Sequence, residues 1–453
     1  MQSRPCAQRK RASVEEPADG YVACNRGRSP LTENAVPPRT YRQSRPMKPP
    51  MTLVSLFAGA GGLDAGLEQA GFETRLAIDN DADAMATLKA PQAAKVPVKG
   101  KRGRRFLQNA TICQADLTRL TKADLAELWG ADERPALLAG GPPCQSFSSA
   151  GKQRGVEDAR GRLFKDFVRT ARALRPEFVL FENVQGLVTA RDIDGRVGGV
   201  LALVQDEFER AGYACSFALV NAADYGAPQR RVRLVMVGAL RHALPSFPPV
   251  PTHSKDGAGQ ESLLQPWISI REALQGLPVK GEGDVVWATD AMEEKLAQVS
   301  PGSGIRVGGS VENNRPGGHW GYRQDGFIAD WDQPARTIRA ASTPDWLRMP
   351  DGRHRRLTWQ ECARLQGFPP GWDFTGPVTS RFRQVGNAVP LNLASALGAE
   401  IAASLQEGPL ARGTRPESRP WPASFTRRIR YTKAEHRVNG SLRRRKSPQP
   451  VAA

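Results

Sequence analysis

Three stretches of the chain hold side chains whose types could do chemistry together. Residues 140–155 read GGPPCQSFSSAGKQRG, which sets Cys144 behind two prolines in a polar, glycine- and serine-rich loop. A cysteine reacts as its thiolate, and that form needs exposure together with nearby positive charge or hydrogen-bond donors. Pro142 and Pro143 fix φ and so limit how far the thiol can drift. The apolar run FVLF at 178–181 ends in Glu182 and Asn183, where partial burial could keep a carboxyl group protonated. QRRVR at 229–233 puts Arg231 and Arg233 on one side of an extended chain, at period two. A thiol, a carboxylic acid and two arginines brought to one place could attack and polarise an electron-poor ring. Taken singly, Glu182 could as well cap a helix or anchor a loop, and the arginines could be a solvated face.

Such residues meet only if the chain folds back on itself, and the apolar runs say how. From Met51 onward short apolar runs alternate with helical periods, the pattern of an α/β sheet. LVSLF (53–57), TRLAI (74–78), ALLAG (136–140), FVLF (178–181) and RLVMVG (233–238) read as buried strands. Three of them lead into Asp79, the Cys144 loop and Glu182, and the C-terminal edge of an open parallel sheet is where ligands bind. Between LVSLF and a helix carrying Leu63, Leu67 and Ala70 on one face lies AGAGG (58–62), whose glycines let a ligand approach the backbone at a helix N-terminus. A dinucleotide loop would need GxGxxG, but Asp64 stands at the third glycine position, which disfavours NAD. Asp79, seventeen residues past Gly62, is spaced to accept both ribose hydroxyls of an adenosine ligand.

The length of 453 residues and the 40 % apolar content suit one large domain with a smaller one. Six cysteines without CxxC or Cys/His spacing argue against a disulfide framework and against a zinc site, so no metal is expected. No apolar run approaches the ~20 residues of a membrane span, and the Arg-rich start lacks an apolar signal segment, so the chain reads as cytoplasmic, with no membrane partner. The net charge of +18 is concentrated at the ends: residues 1–50 carry 10 Lys/Arg against 4 Asp/Glu, and residues 408–453 carry 12 against 2. A third basic cluster, KVPVKGKRGRR, lies at 95–105. Such segments suit a polyanion, nucleic acid first, or are solvated tails without a partner. The composition divides the chain into a basic disordered extension (1–50), a catalytic domain (51–245) and a small loop-rich domain of Pro, Gly and Trp (246–379). A C-terminal segment (380–406), with Leu393, Leu397, Ile401 and Leu405 on one helical face, packs back on the first domain, and a basic disordered tail (407–453) follows.

In order, FAGAGGL (57–63), IDND (78–81), AD (115–116), GPPCQSFS (141–148), FENV (181–184), DYGAPQRRVR (224–233), RRLTWQECARLQGFP (355–369) and QVGNAVP (384–390) resemble the motifs of the DNA (cytosine-5) methyltransferases, over residues 52–405. The resemblance implies a Rossmann-like, S-adenosyl-L-methionine-dependent methyltransferase sheet with a second, smaller target-recognition domain. It implies that Cys144 adds to carbon 6 of a cytosine and that Glu182 hydrogen-bonds or protonates ring nitrogen 3. Arg231 and Arg233 then orient base and acid, and carbon 5 takes the methyl group. The base must leave the duplex to be reached. The same resemblance assigns Phe57, Gly59, Gly61, Gly62 and Leu63 to the methionine and adenosine surroundings, Asp79 to the ribose and Asp116 to the adenine amino group. Asn387 and Val389 close that pocket. Asn80 stands where the family often stacks an aromatic ring on adenine. The implied partners are double-stranded DNA and a cognate restriction endonuclease, with the enzyme a monomer in a restriction–modification system. Two rival readings are a tRNA cytosine-5 methyltransferase, disfavoured because no Cys-Phe-Thr occurs, and a catalytically silent DNA-binding relative, disfavoured because Cys144, Glu182, Arg231 and Arg233 are all kept.

Overall fold

Short runs of branched and aromatic residues, each closed by glycine or a polar turn, build the central sheet. The computed structural model describes residues 50–143, 163–257, 263–277, 285–306, 311–312, 324–341 and 343–445. The extension expected over 1–50 lies, but for Pro50, outside the described residues.

Five strands run parallel: β1 (Met51–Leu56), β2 (Phe72–Asp79), β3 (Thr111–Gln114), β4 (Leu137–Gly140) and β5 (Phe178–Val184). β6 (Ala214–Asn221) and, after the two-residue β7 (Gln229–Arg230), β8 (Val232–Ala239) complete a seven-stranded sheet in the order β3-β2-β1-β4-β5-β8-β6. β8 is antiparallel to both β5 and β6. The sheet is therefore mixed, and the mixture matters: β8 enters the sheet at the edge where β5 leaves it, so Arg231 just before β8 and Arg233 at its start come level with the end of β5 that carries Glu182. The central strands are buried on both faces, with Phe178 through Phe181 all at 0 % exposure, as parallel-rich sheets covered by helices require.

Helices α1 (Gly62–Ala70), α2 (Ala82–Ala93), α3 (Lys122–Trp129), α4 (Leu163–Leu174) and α5 (Gly199–Arg210) connect the strands. Two short helices, α6 (Ile270–Leu274) and α7 (Asp290–Ala297), sit in the region after β8. There β9 (His253–Ser254) pairs with β10 (Gln265–Pro266), and a second sheet runs β12-β11-β13-β15-β16. Its strands are β11 (Gly304–Arg306), β12 (Val311–Glu312), β13 (Gln324–Ala329), β15 (Trp346–Arg348) and β16 (His354–Arg356), while β14 (Ala335–Arg336) pairs with β7 instead.

The chain then returns to the large sheet through α8 (Trp359–Leu365), α9 (Val378–Asn387) and α10 (Leu391–Glu407). α10 crosses α1 closely because both are small at the contact. A methyl group on Gly66 would lie 2.4 Å from the Ala394 Cβ, and one on Gly398 would lie 2.7 Å from the Ala70 Cβ. The stretch Val378–Glu407 is long and apolar enough to cross a membrane by length and composition, contrary to the expectation that no run qualifies. It divides into two helices at Ala388–Pro390, and Leu393, Leu397 and Ile401 are buried in the core.

The segment expected to be a disordered tail is the largest departure. Residues 408–422 run along the protein, and α11 (Ala423–Arg445) follows. Ser418 Oγ accepts from Cys215 N (2.9 Å), Arg419 N donates to Cys215 O (2.9 Å), and Phe425 is fully buried. The apolar residues responsible, Trp421, Phe425 and Ile429, are four apart, one face of a helix. Eight Lys/Arg over 423–445 hide that period from a compositional reading.

Candidate active site

The antiparallel entry of β8 brings the acid and one arginine together. Val184 is opposite Arg233 and Glu182 opposite Val235 in the ladder. Glu182 and Arg233 are then diagonal neighbours on one face, within reach of long side chains. Arg233 Nε donates to Glu182 Oε1 at 3.0 Å, with both side chains largely buried (13 % and 12 % exposed). The other carboxylate oxygen lies against the start of the PPC loop: a methyl group on Gly141 would fall 2.7 Å from Glu182 Oε2. Asn183 turns the opposite way, its Nδ2 donating to the Pro142 carbonyl (3.3 Å) and its Oδ1 accepting from Val184 N (2.8 Å). The residues flanking Glu182 thus fix the first part of the loop. Cys144 itself, with residues 145–162, lies outside the described residues.

Arg231 does something other than its partner at period two. It is 2 % exposed, and it donates from Nη1 to the Ile338 carbonyl and from Nη2 to the Gly386 carbonyl, both at 2.9 Å. Burial, then the neighbouring Arg233, pushes its guanidinium well down from the ordinary value. The expectation gives both arginines one role, orienting base and acid, but their contacts within the protein differ. Arg233 holds the acid, while Arg231 ties the chain after β14 and the end of α9 to the root of β8. Behind it Gln229 and Gln366 form an amide chain: Gln229 Nε2 donates to Gln366 Oε1 (3.0 Å), and Gln366 Nε2 donates to the Val385 carbonyl (2.6 Å).

On the other side of β4 stands the glycine loop. Phe57, Gly59 and Gly61 adopt left-handed φ of 53°, 54° and 81°, so the chain turns sharply between β1 and α1. Asp79 Oδ2 accepts from Gly59 N (2.8 Å) and its Oδ1 from Asp81 N (2.9 Å). Each oxygen keeps a further lone pair for a hydroxyl donor. Burial pushes the Asp79 carboxyl up from its ordinary value. Beside it a methyl group on Gly59 would meet, among the described residues, nothing nearer than the Phe57 carbonyl at 4.0 Å. A bare backbone facing open space next to a carboxylate fits an adenosine ligand with a ribose to be held. Gly62 is the tight side of the loop, where an added methyl would fall 2.6 Å from the Val389 carbonyl. Leu63 is buried beneath it at 7 % exposure.

The remaining expected contacts divide. Gln114, the last residue of β3, pairs with Asp79, and Ala115 N donates to the Asp79 carbonyl (2.9 Å), so Asp116 is brought to the same edge. Its carboxylate is engaged locally, accepting from Thr118 N (3.0 Å) and Thr118 Oγ1 (2.7 Å) as the cap of a short helical turn. Those hydrogen bonds hold it below the usual carboxylate range. Asn80 and Asn387 are exposed, whereas Val389 is buried. The sequence reading missed Trp372, whose indole Nε1 donates to the Ala60 carbonyl (3.0 Å) and whose ring packs under Gly61 and against Phe106 and Phe368. It lies three residues beyond the motif ending in Pro369, in GFPPGW, and a buried indole with a polar tip is a natural brace for a loop. Asp64, read from the sequence only as a departure from GxGxxG, is fully buried, and neither carboxylate oxygen has a hydrogen-bond partner among the described residues.

Comparison with known proteins places this geometry. The profile of the C-5 cytosine-specific DNA methylase family matches residues 51–403. The Type II methyltransferase M.FnuDI of Fusobacterium nucleatum is 30 % identical over 378 residues, covering 79 % of this chain and 96 % of the relative. M.NgoPII of Neisseria gonorrhoeae is also 30 % identical, over 79 % of this chain and 97 % of its own. Among solved structures, a protein from E. coli described as a DNA modification methyltransferase encoded within a prophage aligns with a TM-score of 0.58 at 21 % identity, over 79 % of this chain and 99 % of that one, a likeness of fold. Seven strands with one antiparallel intruder, a glycine turn beside an acid and an acid clamped by an arginine thus have their family: the chain belongs to the C-5 cytosine-specific DNA methylases and is a DNA cytosine-5 methyltransferase.

Proposed function

We propose that the chain takes the methyl group from S-adenosyl-L-methionine and places it on carbon 5 of a cytosine turned out of a specific duplex sequence, through a transient bond to Cys144. The observation that carries the reading is the clamped acid: Glu182, held by Arg233 at 3.0 Å and seated against Gly141, three residues before the thiol. An acid fixed beside the root of the nucleophile's loop suits a base held between the two. The Cys144 thiolate adds to carbon 6 while Glu182 hydrogen-bonds ring nitrogen 3, so electron density moves to carbon 5. Carbon 5 takes the methyl group, whose bond to the donor sulfur would break to leave S-adenosyl-L-homocysteine; carbon 5 then gives its proton to a base such as water, and the carbon–sulfur bond to Cys144 breaks to regenerate the thiolate. Arg233 keeps Glu182 in place, and Arg231 keeps the strand root rigid.

S-adenosyl-L-methionine supplies an electrophilic methyl group when bound. Asp79 would hold its ribose, the turn Phe57–Leu63 would hold its methionine and adenosine parts, and Val389 would wall the pocket. Asp116 would reach the adenine amino group with a carboxylate oxygen beyond its capping bonds, while Asn80 and Asn387 would border the site. The region 246–379 would read the target sequence, since it builds a second sheet of its own, β12-β11-β13-β15-β16, apart from the large one. The curated relatives are Type II methyltransferases, which supports a place in a restriction–modification system, paired with an endonuclease, as a cytoplasmic monomer.

The test is expression in a host without cytosine methylation, followed by bisulfite sequencing. Protected cytosines within one short recurring sequence are expected, and their loss in the Cys144→Ser variant. A genome with no protected cytosine would overturn the reading. A duplex carrying 5-fluorocytosine at that sequence should become covalently attached to the wild-type protein and not to the variant.

A further inference from the structure

The structure carries a basic helix that none of the reading above uses. It belongs to the segment after the family's matched residues, which end at 403. The route of that segment is fixed by three contacts. Ser418 and Arg419 bond to Cys215 at the start of β6, the sheet edge opposite the active site, because β6 runs in the same direction as β5. Trp421 Nε1 then bonds to Gln205 in the middle of α5 (2.5 Å). Ile429 packs on Gly198, the residue before α5, where a methyl group would fall 2.8 Å from the Ile429 Cδ1. α5 starts at the edge where β5 ends and finishes where β6 begins, so the segment climbs antiparallel to α5 and reaches the catalytic edge at Ile429. It meets there the turn Gln185–Thr189, which directly follows Glu182–Val184.

α11 has sixteen residues beyond that contact. A helix is a rod with a rise of 1.5 Å per residue, so it extends about 24 Å past the edge. Over Ala423–Arg445 the sequence holds eight Lys/Arg and one acid, Glu435. Arg427, Arg428, Arg430 and Lys433 are exposed, and none forms an ion pair with a described residue. Like charges at this density on one helix repel each other, so the arrangement is costly unless a polyanion meets it. At the edge where a duplex must present its cytosine, the polyanion at hand is the DNA backbone.

We propose that α11 is an arm that grips the phosphates of the duplex flanking the target, anchored to the enzyme body by Trp421, Phe425 and Ile429. This rests on the reading that the substrate is duplex DNA. The arm positions the duplex and carries no base specificity, since phosphate contacts hold register without reading sequence.

The experiment compares wild type, the variant Arg427→Gln/Arg428→Gln/Arg430→Gln/Lys433→Gln and a truncation after Tyr431, which keeps the three anchors. Unchanged thermal melting establishes that each variant is folded. Binding to a random-sequence duplex, and to single-stranded RNA of equal length, is followed by fluorescence anisotropy across a salt series. Each phosphate contact contributes about 0.9 to the slope of log K against log [salt] on duplex DNA, so the fourfold variant should flatten that slope by up to about 3.6. The truncation should flatten it as well. Methyl transfer at low salt and saturating DNA should stay at the wild-type rate, with the same bisulfite target. A duplex slope equal to wild type in both variants overturns the arm, and so does a loss confined to RNA. If wild type methylates no duplex, the proposed function fails instead.

Discussion

Glu182 Oε1 and Arg233 Nε stand 3.0 Å apart because β8 runs against β5, which sets the arginine diagonally across from the acid on one face of the sheet. Had β8 been parallel, the QRRVR segment would lie at the opposite edge. The pair separates two functions that a simple loss of charge would mix. Glu182→Gln keeps the shape and a donor but cannot give up a proton, and it should lower the single-turnover rate of methyl transfer by about 10²- to 10⁴-fold, the span of general acid–base groups. Arg233→Gln should cost less, about tenfold to a hundredfold, because the acid survives and only its orientation is lost. Rapid-quench transfer of a labelled methyl group at saturating DNA measures both. Equal losses would mean that Arg233 touches the base itself.

Gly141→Ala offers a cleaner test of where the acid must be. The added methyl would fall 2.7 Å from Glu182 Oε2, the tip of a side chain and not a backbone atom. The tip can swing aside at little cost in stability, but only by leaving its position. Gly141 also needs no left-handed φ, so alanine brings no backbone strain there. The expected outcome is methylation reduced by about 10²-fold or more with melting within a degree or two of wild type, since misplacement of a reacting group by about 1 Å is costly to rate. Undiminished transfer would show that the carboxylate has slack in its seat.

What the sequence made legible follows from how local each signal is. The five strands read from apolar runs are all present, because a run of Val, Leu and Phe closed by a polar residue needs no partner to be recognised. The reversal of β8 was not legible, since nothing in RLVMVG records the direction of its neighbours. Arg231 and Arg233 looked equivalent for the same reason: period two gives a shared side, but whether a side chain meets a carboxylate or two carbonyls depends on segments 107 and 155 residues away. Trp372 lies 312 residues from the Ala60 carbonyl it braces. The basic cluster at 95–105 misled in part, because Arg104 donates to the carbonyls of Gly71 and Phe72 (3.2 and 2.7 Å) and Val96 and Val98 are buried. Arg104 and the two buried valines bind that insert into the protein.

Two acids on α1 should give the enzyme a stability that falls with rising pH. Burial pushes the Asp64 carboxyl up to about 6 and the Glu68 carboxyl up to about 7, with nearby acids adding a little. Glu68 is the better placed, accepting from Leu107 N at 3.1 Å and Thr74 N at 3.3 Å, whereas Asp64 makes no well-formed hydrogen bond to a described residue and has only the Ser55 hydroxyl and its own backbone to offset burial. A raised acid binds its proton more tightly in the folded state. Its contribution is complete below the unfolded value near 4 and is lost as pH rises through 6 to 7. For Asp64 alone the shift corresponds to about 3 kcal/mol as an order of magnitude. Asp64→Asn removes that titration, so the gap in melting temperature between pH 5 and pH 8 should narrow, chiefly through a gain at pH 8. An unaltered gap would place the charge of Asp64 in contact with something that stabilises it.

The C-terminal segment is part of the fold, and Phe425 is where that can be measured. Its ring is at 0 % exposure in the core cluster shared with Leu187, Val200, Val204 and Phe208. Phe425→Ala deletes a buried ring and leaves a cavity, which costs about 3 to 5 kcal/mol where the surroundings cannot collapse. If residues 423–429 were only loosely docked, the ring could leave without consequence and the loss would be well under 1 kcal/mol. Denaturant melts of the full chain distinguish the two. The salt dependence of DNA binding should shift with them, because an unanchored α11 can no longer hold its arginines at the catalytic edge. A variant that is destabilised yet keeps the full salt slope would show that the charges act from a tether and need no anchored helix.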